Sequence, residues 1–283
     1  MLEISSDGMV AQLAPALGGS ILAVSDADGP LLRAGAARDV AHDPRAAAAF
    51  PCIPWFGRLD PDFTALGRKA LLSATLPDAS PLPLHGDGWM MPWKVKAHAR
   101  DRLTCQLSVP RSPSGFPFAY EAEQEFHIDG RALHIVLLLR NADSVSMPAG
   151  LGLHPYFVRR PSTGVAFSAT GMWSPPIHGP GSLGDLPSAL GAGAAASLPD
   201  TTLDHSFTGF SGTALIADDA RAVRLSSDAP ILHVYAPAGE EFFCLEPVTH
   251  LPGDFSGRSA EGAAAILAPG ERMSIRLVID RPF

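Results

Sequence analysis

Cysteine is scarce in this chain: Cys52, Cys105 and Cys244 are the only three in 283 residues, and no Cys-x-x-Cys pair occurs. That excludes a disulfide framework and the common zinc ribbon. Charge is also thin. Asp, Glu, Lys and Arg make up 18% of the residues and the net charge is -8, whereas an average globular chain is roughly 25% charged. A nucleic-acid surface needs a basic face, so no such partner is expected. No apolar run reaches the length of a membrane-spanning helix, and the first residues show no basic region followed by an apolar stretch. The expectation is a cytoplasmic protein without a membrane partner.

Missing motifs narrow the chemistry. There is no Gly-x-Gly-x-x-Gly after a strand, no Walker loop, no His-Glu-x-x-His and no Gly-x-Ser-x-Gly. Nucleotide cofactors, zinc peptidases and ordinary serine hydrolases are therefore not expected. Long amphipathic helices are missing too; the best helical candidate is the short Arg45–Phe50 segment.

What the chain does have is a period of two. Tyr120, Ala122, Phe126 and Ile128 share one face, while Glu121, Glu123, Glu125 and His127 share the other. Asp129-Gly130 follows, then a second alternating run from Leu133 to Leu139. Alternation around Asp-Gly predicts a hairpin, because both central turn positions need positive φ. Met273, Ile275, Leu277 and Ile279 repeat the pattern near the end. Further strands are predicted at 9–13, 20–25, 93–98, 102–109, 222–226, 231–236 and 242–246. Many short strands punctuated by 27 glycines and 27 prolines predict an all-β chain, a large antiparallel β-sandwich or barrel. No composition shift marks a boundary, so residues 1–283 are expected to form a single domain.

Five polar residues stand in apolar or glycine-rich settings. Arg58 closes the run Pro51-Cys-Ile-Pro-Trp-Phe-Gly-Arg58, and His85 lies in Leu84-His-Gly-Asp-Gly-Trp89. His154 lies in Gly152-Leu-His-Pro-Tyr-Phe157, Asp204 in Leu203-Asp-His-Ser-Phe-Thr208, and Glu246 in Phe242-Phe-Cys-Leu-Glu-Pro-Val-Thr249. Ordinary explanations exist for most: a loop histidine, a turn aspartate, an arginine paired with a carboxylate. Glu246 is the hardest to dismiss, since alternation puts it on one face with Cys244 and Phe242, where an unpaired carboxylate is costly. As metal ligands, the two histidines match no short spacing motif. Taken together, the five suit a polar cleft for a small polyhydroxylated ligand. Trp55, Phe56, Trp89, Trp93, Tyr156 and Phe157 could offer rings to the C–H faces of a sugar, though for each of them a core position is the better reading.

In their order along the chain, PWFGRL, LHGDGWMMPW, GLHPYF, LDHSFTGF and CLEPVTHLPGDF resemble the galactose mutarotase (aldose 1-epimerase) family. The resemblance implies that family's large β-sandwich, a supersandwich, and an isomerase acting on a small sugar. It implies Glu246 as general base, His154 as general acid, and Arg58, His85 and Asp204 as substrate-binding residues. His233, where many relatives carry glutamine, joins the substrate-binding set. No metal and no cofactor is implied; the expected partner is the sugar alone, with the chain a monomer or homodimer. Two departures touch the pattern: Gly57 stands where the family often has asparagine, and Ser256 replaces the asparagine of the glutamate motif. The alternatives within reach are a hexose-6-phosphate mutarotase, for which Arg159-Arg160 or Arg68-Lys69 would hold phosphate, and a non-catalytic sugar-binding protein.

Overall fold

The alternating segments pair as their patterns require. In the computed structural model, which describes residues 1–77, 80–174, 180–181, 183–186, 188–219, 221–253, 255 and 262–282, the Asp129-Gly130 turn joins strands Tyr120–Asp129 and Ala132–Asn141. Their register sets Phe126 opposite Ile135 and Ala122 opposite Leu139, so both apolar faces point the same way. Tyr120, Ala122, Phe126 and Ile128 are all buried.

Two large antiparallel sheets dominate. Nine strands form the first, in the spatial order Ala196–Ser197, Gly164–Phe167, Thr213–Ala217, Ala222–Ser227, Arg272–Asp280, Ala132–Asn141, Tyr120–Asp129, Arg102–Val109 and Lys94–His98. The second runs Pro180–Gly181, Gly171–Trp173, Leu203–Thr208, Ile231–Ala236, Phe242–Val248, Gly152–Leu153 and Pro51–Cys52, with Tyr156–Val158 also paired to Phe242–Val248. The first sheet alternates strictly between buried and exposed positions along its long strands, as a sheet with one wet face does. In the second, Phe242–Val248 is buried at every position after Phe242. It is covered on both faces, and its polar residues must find partners or a cavity.

All the predicted strands are present within one to two residues, for instance Met9–Ala14, Arg102–Val109 and Ile231–Ala236. The helix expected at 45–50 is not. Pro44–Ala46 is a single 3₁₀ turn and the helix lies earlier, at Ala37–His42. The Ala48 and Ala49 backbones are drawn instead into hydrogen bonds with Ile21: both of their N–H groups donate to the Ile21 carbonyl, and the Ile21 N–H donates to the Ala49 carbonyl. Tertiary pairing overrides alanine's helical preference here. No helix among the described residues is long and apolar enough to cross a membrane.

Candidate active site

The floor of the site is three adjacent strands of the second sheet. Register places Ser206 opposite His233, and His233 opposite Glu246. One step along, Asp204 faces Tyr235, which faces Cys244, which faces Tyr156. Side chains two apart share a face, so Asp204, His233 and Glu246 emerge on one surface. The walls come from loops: Phe50, the Phe56–Arg58 turn, the Leu84–Trp89 loop and His154. All six residues singled out by sequence, Arg58, His85, His154, Asp204, His233 and Glu246, line this one pocket.

Glu246 is 1% exposed and His154 6%. His154 Nε2 lies 3.3 Å from Glu246 Oε1, while Glu246 Oε2 and His154 Nδ1 have no hydrogen-bond partner among the described residues. The imidazole packs against two rings, Phe50 at 4.5 Å and 32° and Tyr156 at 4.7 Å and 20°, whose own centroids lie 6.0 Å apart. Its backbone N–H donates to the Phe50 carbonyl. Burial pushes His154 down to about 3, with His233 adding to the effect. Burial also pushes the Glu246 carboxyl well up; Asp204 raises it further and Arg58 opposes. Mutual proximity alone would favour carboxylate and imidazolium. Burial works the other way on both partners, raising the carboxyl and lowering the imidazole toward the uncharged form of the pair.

His85 sits on left-handed backbone at φ 55° and is locked to Gly57 in both directions. Its N–H donates to the Gly57 carbonyl at 2.9 Å, and the Gly57 N–H donates to Nδ1 at 3.1 Å. Nδ1 is thus the acceptor, so in the neutral ring Nε2 carries the hydrogen and is a donor. Burial, together with the neighbouring His154, Arg58 and His233, lowers the pKa of His85 and keeps it neutral. Trp89 pins this loop, its indole N–H donating to the carbonyls of Leu84 and Gly86. Gly86 has no room for a side chain, since a Cβ would fall 1.8 Å from the Ile53 carbonyl oxygen.

Asp204 and His233 form a second pair at 3.0 Å through Nε2, and His233 Nδ1 meets the Ser206 hydroxyl at 2.8 Å. Burial raises the Asp204 carboxyl, but the His233 hydrogen bond and the charges of His233 and Arg58 outweigh it, and Asp204 stays ionised. Arg58 is exposed on the rim, bridged to Leu84.

Sequence reasoning missed Arg45 and Tyr235, which also line the pocket. Arg45 is oriented by Asp43, which accepts from its Nε and Nη2; inside an alanine run it carried no signal. Of the six aromatic residues named from the sequence, Phe56, Trp89 and Tyr156 reach the pocket. Trp55, Trp93 and Phe157 belong to the core. Gly57 adopts φ 74°, and a Cβ there would stand 2.6 Å from that of Pro252. Ser256 lies outside the described residues.

Among the described residues, His154, Cys244 and Glu246 bring ligand-type atoms within 4.8 Å of one another. Burial and the adjacent Glu246 push the Cys244 thiol well up.

The family model for aldose 1-epimerase matches residues 1–280. The chain is 32% identical over 267 residues to YphB, an uncharacterised Escherichia coli K12 protein, covering 88% of this chain and 89% of that one. A crystal structure from Escherichia coli K12, provisionally named an aldose 1-epimerase, superposes with a TM-score of 0.87 at 27% identity, over 98% of this chain and 97% of the other. A Caenorhabditis elegans homologue of GalM/aldose epimerase shares the fold, with a TM-score of 0.80 at 16% identity over 99% and 97% of the two chains.

Proposed function

The chain belongs to the aldose 1-epimerase family, and on that premise we propose that it interconverts the α and β anomers of a free aldose, with Glu246 as base and His154 as acid. The observation that carries this reading is the buried His154–Glu246 pair, 3.3 Å apart at the bottom of a pocket rimmed by sugar-compatible donors.

The reaction needs one proton removed and one supplied at neighbouring oxygens. Glu246 takes the proton from the C1 hydroxyl. The electrons of that O–H bond form the carbonyl, the C1–O5 bond breaks, and His154 delivers its proton to O5. Rotation about C1–C2 presents the other carbonyl face, and closure reverses both transfers. This requires carboxylate and imidazolium, the charged tautomer of the pair. The two forms hold the same number of protons, so one transfer between the partners interconverts them without solvent. A bound sugar favours the charged form: its C1 hydroxyl hydrogen-bonds to the carboxylate, O5 accepts from the imidazolium, and Arg58 already draws the carboxyl toward ionisation. His85, a neutral donor through Nε2, steadies charge on an oxygen of the opening ring. Asp204, kept ionised by His233, accepts from ring hydroxyls, and the Phe56 and Trp89 rings face C–H groups.

The sugar-phosphate alternative loses its sequence support. Arg68 is engaged with Asp143, Arg160 with Asp218 and Arg159 with the Leu198 and Pro199 carbonyls; none of these, nor Lys69, lines the pocket. A pure binding protein needs no buried acid–base pair. We take the whole chain as one domain, which the family match over residues 1–280 supports. Anomerisation rates across a panel of aldoses and their 6-phosphates test the proposal: acceleration of at least one free aldose is expected, and acceleration of phosphates alone overturns it.

A further inference from the structure

Arg33 stands outside the pocket, yet it grips the frame around His154 at three points. Its backbone N–H donates to the Tyr156 carbonyl at 2.8 Å. Its guanidinium carbon lies 3.9 Å from the centroid of the Tyr156 ring and 4.7 Å from that of Phe242. Its Nη2 donates to the Ala47 carbonyl at 2.8 Å and also to the Arg45 carbonyl.

Among the described residues, no carboxylate forms an ion pair with this cation. Burial works against its charge and lowers its pKa. Filling the same space for packing alone would favour an apolar side chain, which pays no desolvation. An arginine held by carbonyls and ring faces instead uses what only a planar fork offers: stacking on one side and directed N–H groups on the other.

What it grips is informative. Tyr156 is the ring stacked on one face of the His154 imidazole. The segment at Arg45–Ala47 leads directly to Phe50, the second ring against the imidazole, with its centroid 6.0 Å from that of Tyr156. Backbone bonds from Tyr156 to Ala48 and from His154 to Phe50 tie the two sides together. Arg33 closes this arrangement from behind.

We propose that Arg33 is a positioning residue that holds the Tyr156 and Phe50 rings against His154, and through them the direction in which the imidazole faces Glu246. The proposal rests on the reading of His154 as proton donor. A donor displaced by a fraction of an ångström loses rate without losing substrate, because the groups that bind the sugar stand elsewhere.

Two variants and two readouts test it. Arg33→Met removes the fork and keeps the length; Arg33→Lys keeps the charge and loses the plane. The first readout is the proton NMR of the His154 ring, assigned with His154→Gln. The flanking rings shift these resonances upfield, and in Arg33→Met they move toward the values of an exposed histidine. The second is kinetic: kcat for the aldose falls by about 10- to 100-fold while KM stays within about twofold, and Arg33→Lys recovers only part of the loss. Unchanged ring resonances in folded Arg33→Met overturn the proposal, as does an unchanged kcat. If Arg33→Met does not fold, Arg33→Lys decides, and wild-type resonances and kcat in that variant overturn it. If the wild-type protein accelerates no anomerisation, the proposed function falls, and the ring resonances still decide whether Arg33 holds the two rings against His154.

Discussion

His154 and Glu246 face each other at 3.3 Å, with only 7% and 2% of their side chains exposed. Few contacts in the chain place two ionisable groups so close and so dry. The consequences for pH, stability and rate follow from that one relationship.

The pair titrates as a unit. Its second proton goes on when His154 protonates, which burial moves down to about 3. Its single proton leaves when Glu246 ionises, which burial moves well up. The one-proton state that catalysis uses therefore spans a wide interval. kcat/KM is expected to hold nearly level from about pH 4.5 into the neutral range and to fall on the alkaline side. An acid limb near the ordinary histidine value of 6.5 would show that the imidazole is not desolvated as described.

Glu246→Gln separates stability from activity. The folded chain keeps a proton on Glu246 that the unfolded chain has released above pH 4.5, so wild-type stability drains away as pH rises from there through the raised folded value. Glutamine has no charge to bury. The variant is expected to melt a few degrees higher than wild type at pH 7–8, with the difference shrinking toward pH 4.5. Thermal unfolding across that range checks the sign; an advantage that grows toward low pH contradicts it.

Asp204→Asn removes the charge paired with His233 at 3.0 Å. On the proposal that Asp204 binds hydroxyls while His154 and Glu246 are untouched, KM is expected to rise about tenfold, consistent with one charge-assisted hydrogen bond, with kcat changed less. Steady-state kinetics on the best aldose decide it, and a loss confined to kcat would place Asp204 in proton transfer.

Gly57→Asn restores the amide that the family often carries. Asparagine tolerates left-handed backbone, so φ 74° is not the obstacle; the Pro252 Cβ, 2.6 Å from where the new Cβ would stand, is. The variant is expected to lose about 1–3 kcal/mol of stability, as overpacked sites do, and some activity, because Pro252 also lines the pocket. Denaturant melts measure the first and anomerisation the second; a gain in both would show that Pro252 moves freely.

The fold was legible because its strands alternate. The hairpin of strands Tyr120–Asp129 and Ala132–Asn141 declared its turn by Asp129-Gly130 and its buried face by alternation. Five of the six pocket residues were legible for another reason: each is a polar group in an apolar or glycine-rich setting, and the resemblance joined them with His233. Arg45, Tyr235 and Arg33 were not legible, because their importance comes from contacts across the fold. Arg33 and Tyr156 are far apart in sequence and meet only once the second sheet forms. The 45–50 segment failed for the same reason, its alanines being claimed by Ile21 rather than by a helix. Nor could sequence say that burial pushes His154 and Glu246 toward their uncharged forms, since only the folded pocket determines how dry it is.

The most direct test of the account is saturation-transfer NMR between the α- and β-anomer C1 signals of a free aldose, with wild-type protein and Glu246→Gln compared at equal concentration and pH 7. The account predicts exchange well above the buffer rate for wild type and a loss of at least about 100-fold in the variant. Equal exchange in the two would contradict it.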